Sequence, residues 1–318
     1  MAKSLVESVV VITGASSGIG RETALKMADA GAKLVLAARD ERALEEVVGL
    51  CEARGTEAIA VPTDVAAEAE VDALAKQAVQ AFGRIDVWIN DAATYMMGRA
   101  DQVPCHSVRR LFDVNVMGVV HGSLAALGHF REHNKGVIIN VGSVAGKVPY
   151  AMASAYCASK HAVHGFTEAL RQELATTQIR ACLVVPATVD TPLFEHAANY
   201  TGRTIEAMRP IYPAEKVADA IVDCALHPRR EVLVGAAPRV LAAMSSTMPG
   251  LLGRMEPRVI EREHLGSRPR GASSGNLYLP EEPHEGTGHW RERKPSFDIR
   301  RIKDWLFGVG RRLPSFAK

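Results

Sequence analysis

The sequence has little of what marks a secreted, zinc-binding or nucleic-acid-binding protein. Its five cysteines are scattered, and none stands in a C-x-x-C pair, which argues against a disulfide framework or a zinc site. We therefore expect reduced thiols in a cytoplasmic protein. The 38 Lys and Arg residues nearly balance the 36 Asp and Glu residues, so no global charge attracts nucleic acid.

Long hydrophobic runs are also missing. Charged or turn-forming residues interrupt each apolar stretch before it reaches the roughly 18 residues of a membrane-spanning helix. The N-terminus enters the apolar residues 9–12 without the separate apolar region and cleavage site of an export signal. The eleven histidines form no recognisable set of metal ligands. We expect no transmembrane segment and no metal.

Short apolar runs alternate with longer amphipathic segments from residue 5 to about residue 236. The runs are apolar throughout, as in strands that are buried on both faces of a parallel sheet. The longer segments have apolar positions at helical spacing. The pattern predicts an α/β fold with seven strands, at residues 9–13, 33–38, 58–62, 85–90, 137–141, 179–185 and 231–234. The clearest helices are at residues 21–30, 68–82, 108–130 and 159–176.

The composition changes after about residue 237, which predicts an α/β domain over residues 1–237 and a C-terminal extension over residues 238–318. The extension begins with an apolar piece and continues, from residue 256 to 295, as an extended or poorly ordered arm rich in Arg, Pro, Gly and Glu. Residues 298–313 have the spacing of an amphipathic helix. That helix either docks on protein or makes a peripheral contact with an anionic membrane.

A glycine-rich turn follows the first strand and precedes a helix. Glycines without β-carbons let a ligand approach the backbone, and the N–H groups at a helix N-terminus attract a diphosphate. Glycines alone also fit an ordinary turn, but this position between strand and helix favours a dinucleotide site. The predicted diphosphate-binding residues are Gly14, Ser16, Ser17, Gly18, Ile19 and Gly20.

The end of the second strand predicts which dinucleotide is bound. An acidic residue there would bind the free 2′-hydroxyl of NAD, whereas Ala38 followed by Arg39 favours the 2′-phosphate of NADP. The alternative is that Arg39 is a solvated loop residue, and the neighbouring Asp40 weakens the preference.

Tyr156 and Lys160 stand four residues apart, so both side chains share one helix face. A phenol titrates near pH ~10 and transfers protons poorly at neutral pH unless a cation stabilises its phenolate, which Lys160 can do. Ser143, at the end of a strand, could bind the same substrate oxygen. A Tyr-Lys pair at this spacing also arises by chance. The position of Ser143 at a strand end, where ligands bind in open α/β sheets, supports the interpretation of the pair as part of a site.

Together these residues resemble the short-chain dehydrogenase/reductase family in its single-domain form. The resemblance covers residues 5 to about 236 and implies a Rossmann-like, doubly wound sheet in the strand order 3-2-1-4-5-6-7. Its signs are the glycine motif, Asp64-Val65, Asn90-Asp91-Ala92-Ala93, Asn115, Ser143, Tyr156-Cys157-Ala158-Ser159-Lys160, and the segment from Pro186 to Pro192.

The resemblance implies a catalytic tetrad of Asn115, Ser143, Tyr156 and Lys160 and the cofactor NADPH or its oxidised form. Tyr156 would transfer the proton, Ser143 would position the substrate oxygen, and Lys160 would lower the tyrosine pKa and bind the nicotinamide ribose. Asn115 would hold a water molecule that links Lys160 to solvent. Other implied cofactor-site residues are Asp64 and Val65 at the adenine, Asn90 as a brace between strands, and Ala92, Pro186, Val189 and Thr191.

Two positions depart from the family pattern. Asn90-Asp91-Ala92-Ala93 stands where Asn-Asn-Ala-Gly is usual, and Ala187 replaces a customary glycine. Neither change removes a reacting group, so we expect activity with altered cofactor affinity.

The expected substrate is a hydrophobic alcohol or carbonyl compound, because apolar side chains follow Pro186. They are Leu193, Phe194, Tyr200, Met208 and Tyr212, with His196 among them and with Tyr95, Met96 and Met97 as an opposite wall. Ordinary packing is the alternative for these residues. The resemblance implies a homo-oligomer, a dimer or tetramer, through residues 108–130 and 159–176. The alternative function is a nicotinamide-nucleotide sensor or scaffold with vestigial catalysis.

Overall fold

The computed structural model describes residues 4–235, 261, 263–281 and 284–293. Seven parallel strands form one sheet in the order β3-β2-β1-β4-β5-β6-β7, which confirms the predicted fold and order. The strands are β1 Val9–Thr13, β2 Lys33–Ala38, β3 Ala58–Pro62, β4 Val87–Asn90, β5 Lys135–Val141, β6 Gln178–Pro186 and β7 Glu231–Val234. The helices are α1 Gly18–Asp29, α2 Glu41–Glu52, α3 Glu68–Phe82, α4 Cys105–Phe112, α5 Gly118–His133, α6 Ser154–Glu173 and α7 Ala214–Leu226.

The strands are apolar throughout because helices cover both faces of the sheet. All five residues of β1 are buried. Val10 and Ile12 contribute to the core beneath α1 and α7, while Val9 and Val11 contribute to the core beneath α3 and α5. The chain direction across the sheet reverses between β1 and β4, and this reversal opens a crevice at the carboxyl ends of the strands.

Two predicted helices have different bounds in the structure. The single helix predicted over residues 108–130 is wrong, because α4 and α5 are joined by a π-helical turn at Asp113–Met117. The extra residue of such a turn is typical of functional positions, and this one contains Asn115. Helix α6 begins at Ser154 rather than at residue 159, so Tyr156 and Lys160 both lie within it.

The segment Cys105–His133 is long and apolar enough to cross a membrane, with a mean hydropathy of 1.4. This finding corrects the expectation that no stretch approaches that length. In the fold, 56% of the apolar window is buried, and α5 packs against α3 and β4. The mostly buried core helix of a soluble protein can be equally long and apolar, so this segment is only weak evidence for a membrane span.

The described part of the C-terminal extension packs against the catalytic domain. Its short strand Leu265–Pro269 pairs antiparallel with Arg203–Ile205, and a 3-10 turn follows at Gly275–Leu277. The arm is therefore extended, as predicted, and these parts of it are docked rather than poorly ordered. The predicted apolar piece at residues 240–255 and the predicted helix at residues 298–313 lie outside the described residues.

Candidate active site

A cleft opens at the carboxyl ends of the strands, where ligands bind in open α/β sheets. Its lining combines the glycine turn with Tyr156 and Lys160. The predicted site residues that line it are Gly14, Ser16, Ser17, Gly18, Ile19, Arg39, Asp64, Val65, Ala92, Ser143, Tyr156, Lys160, Pro186, Val189 and Thr191. The three that do not line it are Gly20, Asn90 and Asn115. The structure brings most of the predicted site together, while the role of each residue stays a prediction.

Only glycine fits two positions in the turn between β1 and α1. Gly14 has a φ of +76°, and a β-carbon there would lie 2.8 Å from the backbone of Ala92. A β-carbon on Gly20 would lie 2.2 Å from the carbonyl oxygen of Gly14. The missing side chains leave a cradle beside a helix N-terminus, which fits a diphosphate.

The first turn of α1 offers hydrogen-bond donors to this cradle. Ser17 is the N-cap residue, and its hydroxyl makes no capping hydrogen bond. The amide of Gly18 donates to the carbonyl oxygen of Glu285 at 3.0 Å, whereas the Ile19 amide has no acceptor among the described residues. Ser17 and Ile19 therefore remain available to a phosphate at the positive end of the helix dipole.

Tyr156 and Lys160 lie one turn apart on α6, at the cleft. The Lys160 ammonium nitrogen is 6.0 Å from the centre of the Tyr156 ring and donates to the Val141 carbonyl oxygen at 3.1 Å. Burial lowers the pKa of Lys160 to about 8, and the nearby Asp91 carboxylate opposes this change. Lys160 is thus a buried cation that is held at the end of β5.

The pKa of Tyr156 differs from the expectation. Burial raises the pKa of Tyr156 above its usual range, and a hydrogen bond with Ser143 offsets only part of that rise. The Lys160 ammonium is directed to the carbonyl oxygen of Val141, and the lowering of the tyrosine pKa by Lys160 stays a prediction. Tyr156 is therefore a neutral phenol at pH 7, with a proton to donate.

Ser143 is fixed by contacts with its own loop and with α6. Its side-chain oxygen accepts from the Ala145 amide at 3.1 Å, and its own amide donates to Nε2 of His164 at 3.4 Å. Burial lowers the pKa of His164 to about 3, so its imidazole is neutral and accepts this bond. Sequence reasoning missed this role of His164, although its position eight residues after Tyr156 places it on the same helix face.

Asn115 and Asn90 shape the cleft from behind its lining. The Asn115 carboxamide accepts from the Thr94 amide at 2.8 Å and donates to the Thr94 carbonyl oxygen at 2.9 Å, which fastens the loop after β4. Asn90 donates to Oδ1 of Asn140 at 2.8 Å, which braces β4 against β5 as predicted. The part of Asn115 in holding a water molecule stays a prediction.

A buried carboxyl group lies at the cleft in Asp91. Burial raises the pKa of Asp91 to about 7, and the Lys160 ammonium and a hydrogen bond from the Gly20 amide oppose part of this rise. The side chain therefore titrates close to neutral pH. The second changed residue of the same loop, Ala93, also lines the cleft.

Two arginines meet the C-terminal extension at the end of the cleft near β2 and β3. Arg39 donates to the carbonyl oxygens of Asn276, at 2.7 Å, and Leu277, at 3.4 Å. Arg110 forms an ion pair with Asp64 and donates to the Leu277 carbonyl oxygen at 2.8 Å. Arg39 is therefore not a freely solvated loop residue. No local sequence pattern indicates that residues 276 and 277 reach this place.

Aromatic and apolar side chains enclose the other end of the cleft. Tyr95 packs edge-to-face on Tyr156, with ring centres 4.7 Å apart, and on Phe194, with ring centres 5.2 Å apart. The predicted wall residues that line the cleft are Tyr95, Leu193, Phe194, His196 and Met208. Those that do not line it are Met96, Met97, Tyr200 and Tyr212.

Two polar side chains in this wall, Tyr150 and His264, were not predicted. The Tyr95 hydroxyl lies 2.8 Å from Nε2 of His264 and 3.4 Å from the Tyr150 hydroxyl. Nδ1 of His264 donates to the carbonyl oxygen of Glu206, which leaves Nε2 to accept the Tyr95 proton. Burial lowers the pKa of His264 to about 4, consistent with this neutral form.

One group of side chains near the end of α5 has the spacing of metal ligands. The ligand atoms of His129, Glu132 and His133 lie within 4.8 Å of one another, which corrects the expectation that the histidines form no such set. Nε2 of His129 accepts a hydrogen bond from the Ile85 amide at 3.1 Å, and none of the three residues lines the cleft.

Comparisons with known proteins agree on one family. The family model described as short chain dehydrogenase matches residues 8–200. The uncharacterized oxidoreductase YxnA of Bacillus subtilis is 39% identical over 271 residues, which is 84% of this chain and 76% of that protein. The uncharacterized oxidoreductase SSP1627 of Staphylococcus saprophyticus is 40% identical over 196 residues, which is 61% of this chain and 78% of that protein.

A solved structure of similar fold is a short chain dehydrogenase/reductase from Burkholderia phymatum in complex with NAD. It is 32% identical to this chain and superposes with a TM-score of 0.71. The match covers 78% of this chain and 96% of that chain.

Proposed function

The chain belongs to the short-chain dehydrogenase/reductase family, and on that premise we propose that it is an NADP(H)-dependent oxidoreductase that interconverts an alcohol and a carbonyl compound. Family membership supports an oxidoreductase that uses a nicotinamide dinucleotide. One observation carries the proposal: a single cleft contains the glycine cradle together with Ser143, Tyr156 and Lys160.

The dinucleotide supplies the hydride when bound, and the side chains handle the proton. In the reduction, Tyr156 gives its proton to the carbonyl oxygen, and burial keeps that proton on the phenol at neutral pH. Ser143, which is hydrogen-bonded with Tyr156, orients the same oxygen. Lys160 is charged below pH about 8 and stabilises the phenolate that the reduction leaves behind.

Several groups along the cleft fit a dinucleotide. Ser17 and the Ile19 amide would bind the diphosphate, and Val65 would pack against the adenine. Thr94 lines the cleft, and its buried hydroxyl has no hydrogen-bond partner in the described part of the chain, which suits a ribose hydroxyl.

We assign the preference for NADP(H) to Arg39. No carboxylate of the described residues lies within ion-pair distance of its guanidinium, which leaves this cation suited to a 2′-phosphate. The Burkholderia phymatum protein was solved with NAD, so both dinucleotides need to be compared. Arg39→Ala should weaken binding of NADPH by at least about tenfold and leave binding of NADH nearly unchanged.

The wall beside Tyr156 supports a hydrophobic alcohol or carbonyl substrate. Leu193, Phe194 and Met208 are apolar, and the polar atoms of Tyr95 and His264 bind each other. Burial of an apolar substrate group against this wall is favourable.

A homo-oligomer in the cytoplasm completes the proposal. Met117 and Leu124 are exposed at 41% and 53%, and they lie seven residues, about two helical turns, apart. This face of the α4–α5 segment suits a second copy of the chain.

A turnover screen tests the function. Aliphatic, aromatic, steroid and sugar carbonyl compounds would be incubated with NADPH and with NADH, and the reverse reaction with the matching alcohols. We expect consumption of NADPH with at least one hydrophobic carbonyl compound, faster than consumption of NADH. Binding of NADPH with no turnover of any compound would instead favour a nucleotide sensor or scaffold.

A further inference from the structure

The C-terminal extension contributes His264, Asn276, Pro280, Glu281 and His284 to the lining of the cleft. In the loop after β6, the Trp290 amide donates to Oδ1 of Asp190 at 2.8 Å, and the Trp290 indole N–H donates to the Thr191 carbonyl oxygen at 3.1 Å. Trp290 is only 4% exposed. This segment is therefore anchored by specific contacts rather than lying loosely on the surface.

At the glycine turn, the same segment makes two further contacts. The Gly18 amide donates to the Glu285 carbonyl oxygen at 3.0 Å, and Nε2 of His284 lies 3.0 Å from Oδ2 of Asp40. Asp40 is the residue after Arg39 and the N-cap of α2. The segment thus covers the part of the cleft between the diphosphate cradle and the end of β2.

The closest contacts lie beside Arg39. The peptide carbonyls of Asn276 and Leu277 accept hydrogen bonds from its two terminal nitrogens, and the second carbonyl also accepts from Arg110. The Leu277 side chain is fully buried, which fixes the position of both carbonyls. Arg110 forms an ion pair with Asp64, whereas the hydrogen-bond acceptors of Arg39 in the described part of the chain are neutral carbonyls, and the Asp64 carboxylate attracts Arg39 without an ion pair.

A guanidinium group held in this way is ready to bind a phosphate. It has five N–H donors, and the two carbonyls orient it without neutralising its charge. A flexible arginine would lose side-chain freedom when a ligand binds, whereas this one has lost it already. Asn276 also lines the cleft, and its side-chain oxygen is buried with no hydrogen-bond partner among the described residues.

We propose that residues 275–281 and 284–285 of the C-terminal extension are part of the cofactor site and set its preference for NADP(H), by holding Arg39 toward the 2′-phosphate and by presenting Asn276 to the adenosine half. This inference rests on the proposed function, because it requires that the cleft bind a nicotinamide dinucleotide. It gives the extension a role in recognition that the catalytic domain alone does not have.

A pair of glycines offers a matched test. Gly275 has a φ of +50°, and a β-carbon there would lie 2.3 Å from the His196 carbonyl oxygen, so Gly275→Ala must displace the turn that carries the two carbonyls. Gly271 lies in the same segment, and a β-carbon there would meet nothing within 4 Å. Gly271→Ala is therefore the control.

The measurement is the dissociation constant of NADPH and of NADH, from fluorescence titration of the full-length chain. We expect Gly275→Ala to weaken NADPH binding by at least about tenfold and NADH binding by less than about threefold. The control should change both by less than about twofold. In an Arg39→Ala background, Gly275→Ala should no longer change the ratio of the two constants.

The outcomes separate this inference from the proposed function. Failure of the unchanged protein to bind either dinucleotide would overturn the proposed function. Unchanged binding of NADPH in Gly275→Ala, or equal weakening of both dinucleotides, would overturn the role of the segment while leaving the oxidoreductase assignment intact.

Hydrogen exchange on the unchanged protein gives a second test that needs no variant. The amides of residues 275–281 should exchange more slowly with NADPH bound than with NADH bound, because only the first stabilises Arg39 against the two carbonyls. Equal protection by the two dinucleotides would contradict the proposal.

Discussion

Asp91 is the residue whose chemistry departs most clearly from an ordinary surface carboxyl. Burial in the loop after β4 raises its pKa to about 7 and brings it close enough to Lys160 for the two charges to attract. Each group makes the charged form of the other less unfavourable. The protonation state of the proton-transfer site therefore depends on a carboxyl group that has no part in the proposed proton transfer itself.

Asp91→Asn should stabilise the protein in a pH-dependent way. The pKa of Asp91 is raised from 3.8 to about 7 in the folded protein, so the folded state retains the proton more tightly and wild-type stability falls as pH rises through that window. The amide has no charge to bury, but Lys160 loses its partner, which reduces the gain.

The measurement for Asp91→Asn is urea unfolding of both proteins at two pH values. We expect an advantage for the variant of about 2 kcal/mol at pH 8 and almost none at pH 4, because the wild-type carboxyl is neutral at the lower pH. A variant that is equally stabilised at both pH values would show that packing, and not ionisation, causes the change.

At the scale of elements, the turn between β1 and α1 depends on glycine for steric reasons. Gly20→Ala should displace this turn, because the new β-carbon would overlap the Gly14 carbonyl oxygen at 2.2 Å. We expect NADPH binding to weaken by more than about tenfold, as the donors of α1 leave their positions.

Gly49→Ala on α2 is the matched control, since a β-carbon there meets nothing within 4 Å. It should leave NADPH binding unchanged and raise stability by roughly 0.5–1 kcal/mol, as alanine does in place of glycine within a helix. Equal binding of NADPH by the Gly20 variant and the control would mean that the turn does not hold the diphosphate.

The strands were predictable because burial on both faces leaves a continuous apolar run, and four of the seven predicted strands match the observed bounds. The helix at residues 108–130 was predicted as one element because apolar spacing cannot show a π-helical turn. Within that turn, Asn115 makes long-range hydrogen bonds with the loop at Thr94. Periodicity within one segment carries no information about such partners.

In the site, too, the features that are set within one element were predictable, and those that are set by long-range contacts were not. Tyr156, Lys160 and Ser143 could be predicted because helix and strand geometry fixes where neighbouring residues of one element point. Residues 276 and 277 could not, since they reach Arg39 from more than 200 residues away, through the contacts of an arm without a hydrophobic pattern. The rise in the pKa of Tyr156 was also missed, because burial depends on packing by Tyr95 and its neighbours.

At the scale of the whole molecule, the exposed apolar face of the α4–α5 segment predicts self-association. Leu124→Arg places a charge at a position that is 53% exposed, so it should not disturb the fold of the single chain. Burial of that charge in an interface would be costly. Light scattering should therefore show an oligomer for the unchanged protein and a smaller species for the variant.

Thermal unfolding of the Leu124 variant, measured at low protein concentration, controls for damage to the single chain. An oligomer that persists in Leu124→Arg would place the interface on another face. A monomer for the unchanged protein would contradict the proposed assembly altogether.

The central claim is that the Tyr156 phenol passes its proton to a substrate oxygen beside a bound nicotinamide dinucleotide. The most direct measurement compares kcat and the NADPH dissociation constant of Tyr156→Phe with those of the unchanged protein, on a substrate identified by the turnover screen. We expect kcat to fall by about 10³-fold or more while NADPH binding changes by less than about twofold. A phenylalanine variant that turns over within about tenfold of the unchanged protein would contradict it.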